Sequence, residues 1–389
     1  MRIDRVSHCR VAIALHETFR TAIRETDSVA AIRIEIAAGD RVGVGYATAT
    51  PAITGDTLEH IESLIDEVVS PFLLSRILVP KPAYEFGLQS DDLFGIPIEM
   101  YGAWTAQCSS GMAGIDLALH SLVGTFAGRP QPSLTTSVTV GAGSIEEMVA
   151  TAQRRVAAGF RVVKAKLGAD PAHDAQRLVA LAQALGAARI PDPASPTPVP
   201  ALPLAPAFAS SVAGSSIPKP ALQFWVDANQ GWTVAQALEI FDAALDANVV
   251  LGAYEQPTPA DDLEGLRQVR IGVQQRCRDR GVPAVPVVAD ESARTFSDVD
   301  RIIALKAADA INVKFMKFGG ITGSGQAVEK ARAAGLGVLV GSMMEHPHSV
   351  AAALRFASLL GGVHDLDAGW WARDTSPLRY RDGIVSVEQ

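Results

Sequence analysis

Two lysines and three acidic residues stand in short apolar runs. Lys164 and Lys166 lie one residue apart in VVKAKL, and the acids are Asp227 in FWVDANQGW, Glu255 in LGAYEQP and Asp290 in PVVADES. Three carboxylates supply the oxygen ligands that a hard divalent ion prefers, and a lysine amine can act as a base. This set predicts a site that removes a proton next to a carboxylate.

The runs that carry these residues are predicted to be strands of a parallel barrel. From about residue 136, short runs rich in Val, Ile and Ala alternate with helical segments, as in parallel βα units. The eight candidate strands lie near residues 137–140, 161–166, 223–228, 251–255, 286–290, 310–314, 337–341 and 363–366. From Asp227, the two later acids and Lys314 follow at intervals of 28, 35 and 24 residues. One unit of a ~250-residue barrel takes ~30 residues, so the spacing predicts a closed barrel.

Alternation within each strand decides which side chains face the barrel interior. Lys164 and Lys166 share one face of their strand, and Asn312 and Lys314 share one face of another. Enzymes of this architecture carry their active sites at the carboxyl ends of the strands. We therefore expect one pocket to gather Lys166, Asp227, Glu255, Asp290 and Lys314. The alternative is a set of salt bridges at the barrel mouth, although burying so many charges seldom stabilises more than apolar packing does.

The chain before the barrel is predicted to be α+β. Residues 30–48 alternate apolar and polar residues around a Gly-Asp turn, which predicts an antiparallel hairpin. Helical spacing over residues 57–75 and 103–127 predicts two helices, the second of which ends at Gly128. With 389 residues, the chain can hold a large barrel and an attached unit.

A proline-rich segment interrupts the regular spacing. Lys166 and Asp227 are 61 residues apart, which is twice the length of one unit. The excess is residues 191–220, which contain nine of the 23 prolines. Because proline breaks helices and central strands, we predict an extended surface insertion; a partner-binding tract is the alternative.

Composition excludes several classes of partner. The chain is 48% hydrophobic and 20% charged with a net charge of -8, which gives no basic footprint for nucleic acid. No apolar run is long enough to cross a bilayer, and the N-terminus lacks the features of a signal peptide. Cys9, Cys108 and Cys277 are scattered without metal-type spacing, so we expect reduced thiols and a cytoplasmic protein. We expect a small-molecule substrate, no membrane or nucleic-acid partner, and the homo-oligomeric state that is common among such enzymes.

Sequence motifs along most of the chain resemble those of one enzyme group. The segments KAKLG, DANQGW, EQP, ADES and INVKFMKFGG, in this order, are similar to the muconate-lactonizing-enzyme subgroup of the enolase superfamily. FRTAIRE, ITGDT, VGSMMEH and DLD resemble its dipeptide epimerases, in particular those of the L-Ala-D/L-Glu type. The resemblance implies an α/β fold, a modified TIM barrel (β/α)7β at residues 131–370. An α+β capping domain, residues 1–130 completed by residues 371–389, would cover it.

The resemblance also implies a role for each candidate residue. By this resemblance, Mg²⁺ would be held by Asp227, Glu255 and Asp290. The acid/base pair would be Lys166 and Lys314, and Lys164 would assist by its charge. The substrate would be contacted by Arg24, Asp365, Asp367 and Met344. The implied reaction inverts the α-carbon of the C-terminal residue of a dipeptide by 1,1-proton transfer. A base lysine must release its proton, so we expect burial near Mg²⁺ and a second lysine to lower its pKa.

The substrate is the least constrained part of this prediction. Arg24 favours L-Ala-L/D-Glu because it can pair with an acidic side chain; the alternative is a solvated surface arginine. Asp365 and Asp367 could bind an ammonium group of the substrate. The alternative role of these two aspartates is a structural cap on the following loop. The competing functions are cycloisomerisation or o-succinylbenzoate synthesis by the same residues, epimerisation of hydrophobic or cationic dipeptides, and silent binding of a metal or peptide.

Four aromatic residues have two possible roles each. His346 and His348 are predicted to line the substrate pocket, with a second metal site as the alternative. Trp370 and Trp371, which follow DLD, are expected either to stack on the substrate or to pack the cap.

Overall fold

The computed structural model describes residues 1–21, 25–78, 92–94, 96–186, 222–249 and 251–388. Arg24 and the proline-rich segment 191–220 lie outside these residues, so the predictions made for them stay predictions. Among the described helices, none has the combination of length and apolar sequence that a membrane span requires.

The N-terminal part contains a three-stranded antiparallel sheet with helices on one face. Its strands are β1 (Arg5–Arg20), β2 (Glu25–Ala38) and β3 (Arg41–Thr48). The predicted hairpin is β2 and β3, and β1, which was not predicted, pairs along the length of β2. Most residues in the first half of β1 are exposed or half-buried, so this strand lacks a strong alternation of apolar and polar residues.

Helices cover the inner face of this sheet. They are α1 (Leu58–Ser63), a π-helical stretch (Leu64–Val69), α2 (Ser70–Leu74), α3 (Ile98–Gln107) and α4 (Ser109–Val123), with short strands β4 (Asp92–Leu93) and β5 (Ile96–Pro97) before α3. The α4 helix packs so closely on β3 that a Cβ added at Gly45 would lie 2.0 Å from the carbonyl oxygen of Gly114. The prediction that this helix ends at Gly128 was wrong. Gly124, with φ +70°, already provides the left-handed residue that terminates it.

The barrel consists of seven parallel strands that neighbour one another in chain order. They are β7 (Val138–Val140), β8 (Val162–Lys166), β9 (Gln223–Asp227), β10 (Leu251–Glu255), β11 (Val287–Ala289), β12 (Ala310–Lys314) and β13 (Gly337–Gly341), after the short strand β6 (Ser133–Thr135). Parallel bridges from Thr136 to His364 and from Gly341 to Asp365 join residues 364–365 to both edges of this sheet. The eighth place is thus a two-residue segment, which confirms the predicted modified barrel. We number the strands β7 to β13 as positions 1 to 7 and residues 364–365 as position 8.

Helices surround the barrel. They are α5 (Ile145–Ala157), α6 (Pro171–Leu185), α7 (Val234–Asp246), α8 (Leu263–Arg280), α9 (Phe296–Leu305), α10 (Phe315–Phe318), α11 (Ile321–Ala333), α12 (Pro347–Ala357) and α13 (Ala368–Trp371). Capping boxes begin α5, α7 and α9, where a Ser or Thr side chain accepts from a backbone amide one turn later. The C-terminal strand β14 (Leu378–Arg381) pairs with β15 (Ile384–Val387), which pairs with β6. Arg373 N donates to Ala14 O of β1 at 2.9 Å. The proposed domain boundaries at residues 130 and 371 stay predictions.

The barrel interior has an apolar floor and a charged upper layer. The floor is a cluster of buried inward side chains: Val162, Trp225, Ala253, Val288, Ala310 and Leu339. Since inward residues recur every two positions, the next inward residues toward the carboxyl ends include Lys164, Asp227, Glu255, Asp290 and Asn312. The apolar layer therefore closes the barrel beneath the candidate site.

Candidate active site

The described candidate residues gather at the carboxyl ends of the barrel strands. Lys166, Asp290, Lys314, Met344 and both aspartates of DLD line one cavity. Asp227 and Glu255 lie beside it, 0% and 1% exposed. Arg24 lies outside the described residues.

The strand order sets where each group approaches this cavity. Lys166 ends the strand at position 2 and Lys314 ends the strand at position 6, which are opposite one another in a ring of eight. The three acids come from positions 3, 4 and 5. Asp365 lies at position 8, opposite the strand that ends in Glu255. Two lines therefore cross in the cavity. The first joins Lys166 to Lys314, and the second, the carboxylate axis, joins the three acids of positions 3 to 5 to the aspartates of DLD.

Asp227, Glu255 and Asp290 form a compact buried triad. One carboxylate oxygen of each lies within 4.8 Å of the others. Neighbouring amides hold two of them in place, because Asn229 N donates to Asp227 Oδ1 at 2.9 Å and Asn312 Nδ2 donates to Glu255 Oε1 at 2.9 Å. The triad offers only oxygen atoms as metal ligands, which suits a hard cation.

Each lysine of the pair contacts one member of the triad. Lys166 Nζ lies 2.6 Å from Asp227 Oδ2, and Lys314 Nζ lies 2.6 Å from Asp290 Oδ2. Burial lowers the pKa of Lys314, but the charges of Asp290, Glu255 and Glu291 together raise that pKa above its ordinary value. These carboxylates thus hold the proton of Lys314, and the expectation that Mg²⁺ and a second lysine lower the pKa of the base lysine stays a prediction.

Lys164 is a third buried cation between the two groups of carboxylates. Its Nζ lies 2.8 Å from Glu255, 2.8 Å from Asp365 and 3.2 Å from Asp227. Burial lowers the pKa of Lys164, but these carboxylates together raise it well above its ordinary value. Lys164 is thus a fixed positive charge.

Asp365 and Asp367 have different surroundings. Asp365 pairs with Lys164 and accepts from Ser137 Oγ at 2.6 Å, and although burial raises its pKa, Lys164 lowers it to about 2. Asp367 accepts from Thr139 N at 2.7 Å and from Trp371 Nε1 at 3.1 Å. Burial and the charge of Asp365 raise the pKa of Asp367. Among the described side chains no lysine or arginine lies within ion-pair distance of Asp367, although the charge of Arg155 acts on it from farther away.

Comparison with known proteins shows what the chain is similar to. Residues 215–389 match the family "Enolase C-terminal domain-like". Over 367 residues the chain is 29% identical to the L-Ala-D/L-Glu epimerase of Bacillus subtilis (strain 168), covering 92% of this chain and 85% of that protein. A substrate-liganded structure of the L-Ala-D/L-Glu epimerase from Bacillus subtilis superposes with a TM-score of 0.76 at 26% identity, covering 100% of this chain and 96% of that one. The chain is thus similar over most of its length to epimerases, and its residues 215–389 match the enolase C-terminal domain-like family.

A second solved structure shows which ligands a similar fold holds. The dipeptide epimerase from Methylococcus capsulatus was solved with Mg and the dipeptide L-Arg-D-Lys. Its TM-score is 0.75 at 24% identity, with coverage of 100% of this chain and 98% of that chain. Enzymes with closely similar folds thus act on dipeptides of opposite charge.

The buried triad of carboxylates fits a divalent ion. Burial raises the pKa of Glu255 to about 8, and Asp227, Asp290 and Asp365 add to the effect of burial against the opposing charge of Lys164. A buried carboxylate with so high a pKa lacks enough positive charge nearby. A divalent cation among the three carboxylates would supply that charge.

Several functional contacts were not predicted. Lys317 Nζ, fully buried, binds Asp290 Oδ1 at 2.8 Å and the carbonyl oxygen of Asn312 at 2.6 Å, so Asp290 is held by two lysines. A lysine within the apolar run FMKF was the available signal. Ser137 and Thr139, which hold the two aspartates, alternate with apolar residues around the first barrel strand, and that alternation pointed to inward side chains.

The histidines and tryptophans take structural positions. The prediction that His346 and His348 line the substrate cavity was wrong, because neither is among its lining residues. His346 stacks on Tyr46 at 3.6 Å and accepts from His348 N at the start of α12. Trp371 packs against Phe19 of β1 at 5.0 Å and donates to Asp367, so it joins the cap to the cavity.

Glu345 is expected to make stability depend on pH. Burial raises its pKa to about 7, against the opposing effects of Met343 N and Lys314. The folded protein therefore keeps a proton that the unfolded chain releases above its ordinary pKa of 4.5, so stability falls as pH rises from about 4.5 to 7. Glu345→Gln should remove this change with pH, which amounts to up to about 3 kcal/mol in the free energy of unfolding. Urea unfolding at several pH values across this range measures it. Glu146→Gln, at an exposed site, is the control, and a constant difference between Glu345→Gln and the original protein at every pH would contradict the prediction.

Proposed function

We propose that this isomerase of the enolase superfamily is a dipeptide epimerase that inverts the α-carbon of the C-terminal residue by 1,1-proton transfer. The observation that carries the proposal is the opposition of Lys166 and Lys314 across a cavity with carboxylates at both ends of the other axis. A dipeptide has a carboxylate at one end and an ammonium group at the other. Such a molecule, lying along the carboxylate axis, would present its α-carbon between the lysines.

Each group has a separate task in this proposal. Mg²⁺ held by Asp227, Glu255 and Asp290 would neutralise, as a Lewis acid, the negative charge that develops on the substrate carboxylate. One of the opposed lysines, as the amine, removes the α-proton from its side, and the other, as the ammonium, donates a proton to the opposite side. The configuration of the carbon is thereby inverted. Which lysine acts as the base depends on which epimer is bound.

Lys164 contributes charge rather than proton transfer. Its contacts with Glu255 and Asp365 hold it as an ammonium ion beneath the cavity. A fixed positive charge in a buried site favours the developing anion, and it also disfavours the protonated form of a nearby lysine. Both effects assist removal of the α-proton.

Asp367 is proposed to bind the substrate ammonium group. It lines the cavity, and among the described residues its charge is opposed only by the more distant Arg155 and not by a cation in ion-pair contact. An ammonium group would satisfy this carboxylate through charge-assisted hydrogen bonds. Cycloisomerisation and o-succinylbenzoate synthesis have no evident use for such a contact.

For the epimerised residue we propose glutamate, in L-Ala-L/D-Glu. The described cap residues that line the cavity are uncharged, namely Phe19, Thr21, Thr50, Ala52 and Ile53. Arg24 follows Thr21 by three residues in the chain and would supply a cation for an acidic side chain. The similarity to L-Ala-D/L-Glu epimerases supports the same substrate.

The substrate is tested by solvent exchange. The protein and Mg²⁺ are incubated in D₂O with a pooled library of L,L-dipeptides, and mass spectrometry detects a gain of one dalton. Label concentrated in Ala-Glu and its close neighbours is expected. Label in hydrophobic or basic dipeptides would support dipeptide epimerisation but exclude Arg24 as the specificity residue. If no dipeptide gained label, dipeptide epimerisation would be contradicted.

Magnesium is expected to stabilise the protein through the triad. After EDTA treatment, adding MgCl₂ should raise the melting temperature in a saturable way, since an ion that binds only the folded state adds its binding free energy to stability. Glu255→Gln should weaken this response because it removes one anionic ligand. Glu264→Gln, on the surface of α8, should respond as the original protein does. An equal response in Glu255→Gln would contradict the assignment of the triad.

A further inference from the structure

A second cavity lies outside the active site, between β3, α4 and α12. Its basic lining residues are the arginines Arg129 and Arg355 and the histidines His120 and His348, of which His120 lies 3.5 Å from the buried Asp116 behind the wall. Among the described residues that line it, none is an aspartate or a glutamate. In a chain with a net charge of -8, a pocket whose described lining includes basic groups and no acid is a distinct electrostatic environment.

Arg355 is the cation in this cavity that most needs a counter-charge. Its side chain is half-buried, and its hydrogen bonds are long, 3.4 Å to Ala351 O and 3.5 Å to Gln131 Oε1. Among the described residues no carboxylate lies within ion-pair distance of it, whereas the comparably buried Arg270 and Arg276 each have one at 2.7 Å. Burial lowers the pKa of Arg355, and no neighbouring acid opposes this effect.

The other groups around Arg355 can donate hydrogen bonds. His348 precedes it by seven residues on α12, which is two helical turns, so both side chains lie on the same face. Burial lowers the pKa of His348, so its imidazole is neutral and can donate at neutral pH. Gln131 and Ser121, which also line the cavity, add an amide and a hydroxyl group.

We propose that this cavity binds a small oxyanion, a phosphate or carboxylate group, with Arg355 as its principal ligand. A guanidinium group presents a planar set of donors that matches the oxygens of either anion. The anion would supply the charge that the surrounding side chains lack. It would also bridge β3 and α4 to the barrel helix α12.

Titration calorimetry with orthophosphate and with succinate, at constant ionic strength set by KCl, tests the proposal. Saturable binding of one of them is expected, and which one binds distinguishes a phosphate site from a carboxylate site. Arg355→Gln should bind about tenfold more weakly, because a charge-assisted hydrogen bond contributes on that order. Arg355→Lys, which keeps the charge but loses the planar geometry, should fall between.

Two comparisons make the result decisive. Arg301→Gln, at an exposed arginine of α9, should bind as the original protein does. Binding at the active-site lysines would be unchanged by every substitution of Arg355. No saturable binding of either anion, or equal binding by the folded Arg355→Gln and Arg355→Lys variants and the original protein, would overturn the proposal.

Discussion

Replacing Lys166 or Lys314 by methionine is expected to reduce epimerisation about 1000-fold or more. Inversion needs both groups, because one removes the proton and the other supplies a new one, and positioned acid/base groups contribute ~10²–10⁴-fold each. The rate of epimerisation is measured by polarimetry or chiral chromatography with Mg²⁺ present. Lys330→Met, which removes a surface lysine of α11 paired with Asp300, is the control and should retain full activity.

The two lysine variants should also differ from one another. Each variant keeps the base for one epimer, so each should still exchange the α-proton of that epimer with D₂O and lose exchange of the other. Lys166→Met and Lys314→Met should therefore show opposite stereochemical preferences. If both variants exchanged the same epimer, or if either still converted one epimer to the other at the original rate, the opposed-lysine mechanism would be wrong.

Asp367→Asn is expected to raise KM about 10- to 100-fold, with a smaller effect on kcat. Asparagine keeps the shape of the side chain but removes the charge, and an ion-assisted hydrogen bond contributes ~1.5–3 kcal/mol. The same ammonium contact should be present before and during proton transfer, so its loss mainly weakens binding. Steady-state kinetics on the dipeptide measure the change.

Asp365→Asn should act differently, because Asp365 pairs with Lys164 and with Ser137. Losing that carboxylate removes one of the charges that raise the pKa of Lys164, so the main expected change is in kcat and its pH profile.

An N-acetylated dipeptide, which has no ammonium group, is the control substrate and should be equally poor for the original protein and Asp367→Asn. If Asp367→Asn left KM for the free dipeptide unchanged, Asp367 would have a structural role only.

The sequence was sufficient to predict the barrel and the set of residues at its mouth. The interval between Asp227, Glu255 and Asp290 matched one βα unit, and the period of two within VVKAKL put both lysines on the inward face. These rules are local or repetitive, so they can be applied without knowing the three-dimensional contacts. The cytoplasmic location and the oligomeric state stay predictions.

Contacts between distant segments were beyond the reach of the sequence. The ion pair of Lys164 with Asp365 joins residues 201 positions apart, and it forms only because residues 364–365 close the barrel. The same applies to Trp371, whose indole contacts β1 and Asp367. The strand β1 was missed for another reason, since its exposed first half offers little apolar alternation.

The most direct test of proton transfer between opposed lysines is the position and timing of solvent label in the original protein. A single epimer of L-Ala-Glu is incubated with the protein and Mg²⁺ in D₂O, and both epimers are isolated at low conversion and analysed by NMR. Two opposed lysines predict deuterium at the α-carbon of the C-terminal residue in the product, with little deuterium in the remaining substrate. Product formed without deuterium, label in the N-terminal residue, or a single base that labels substrate and product at equal rates would contradict the account.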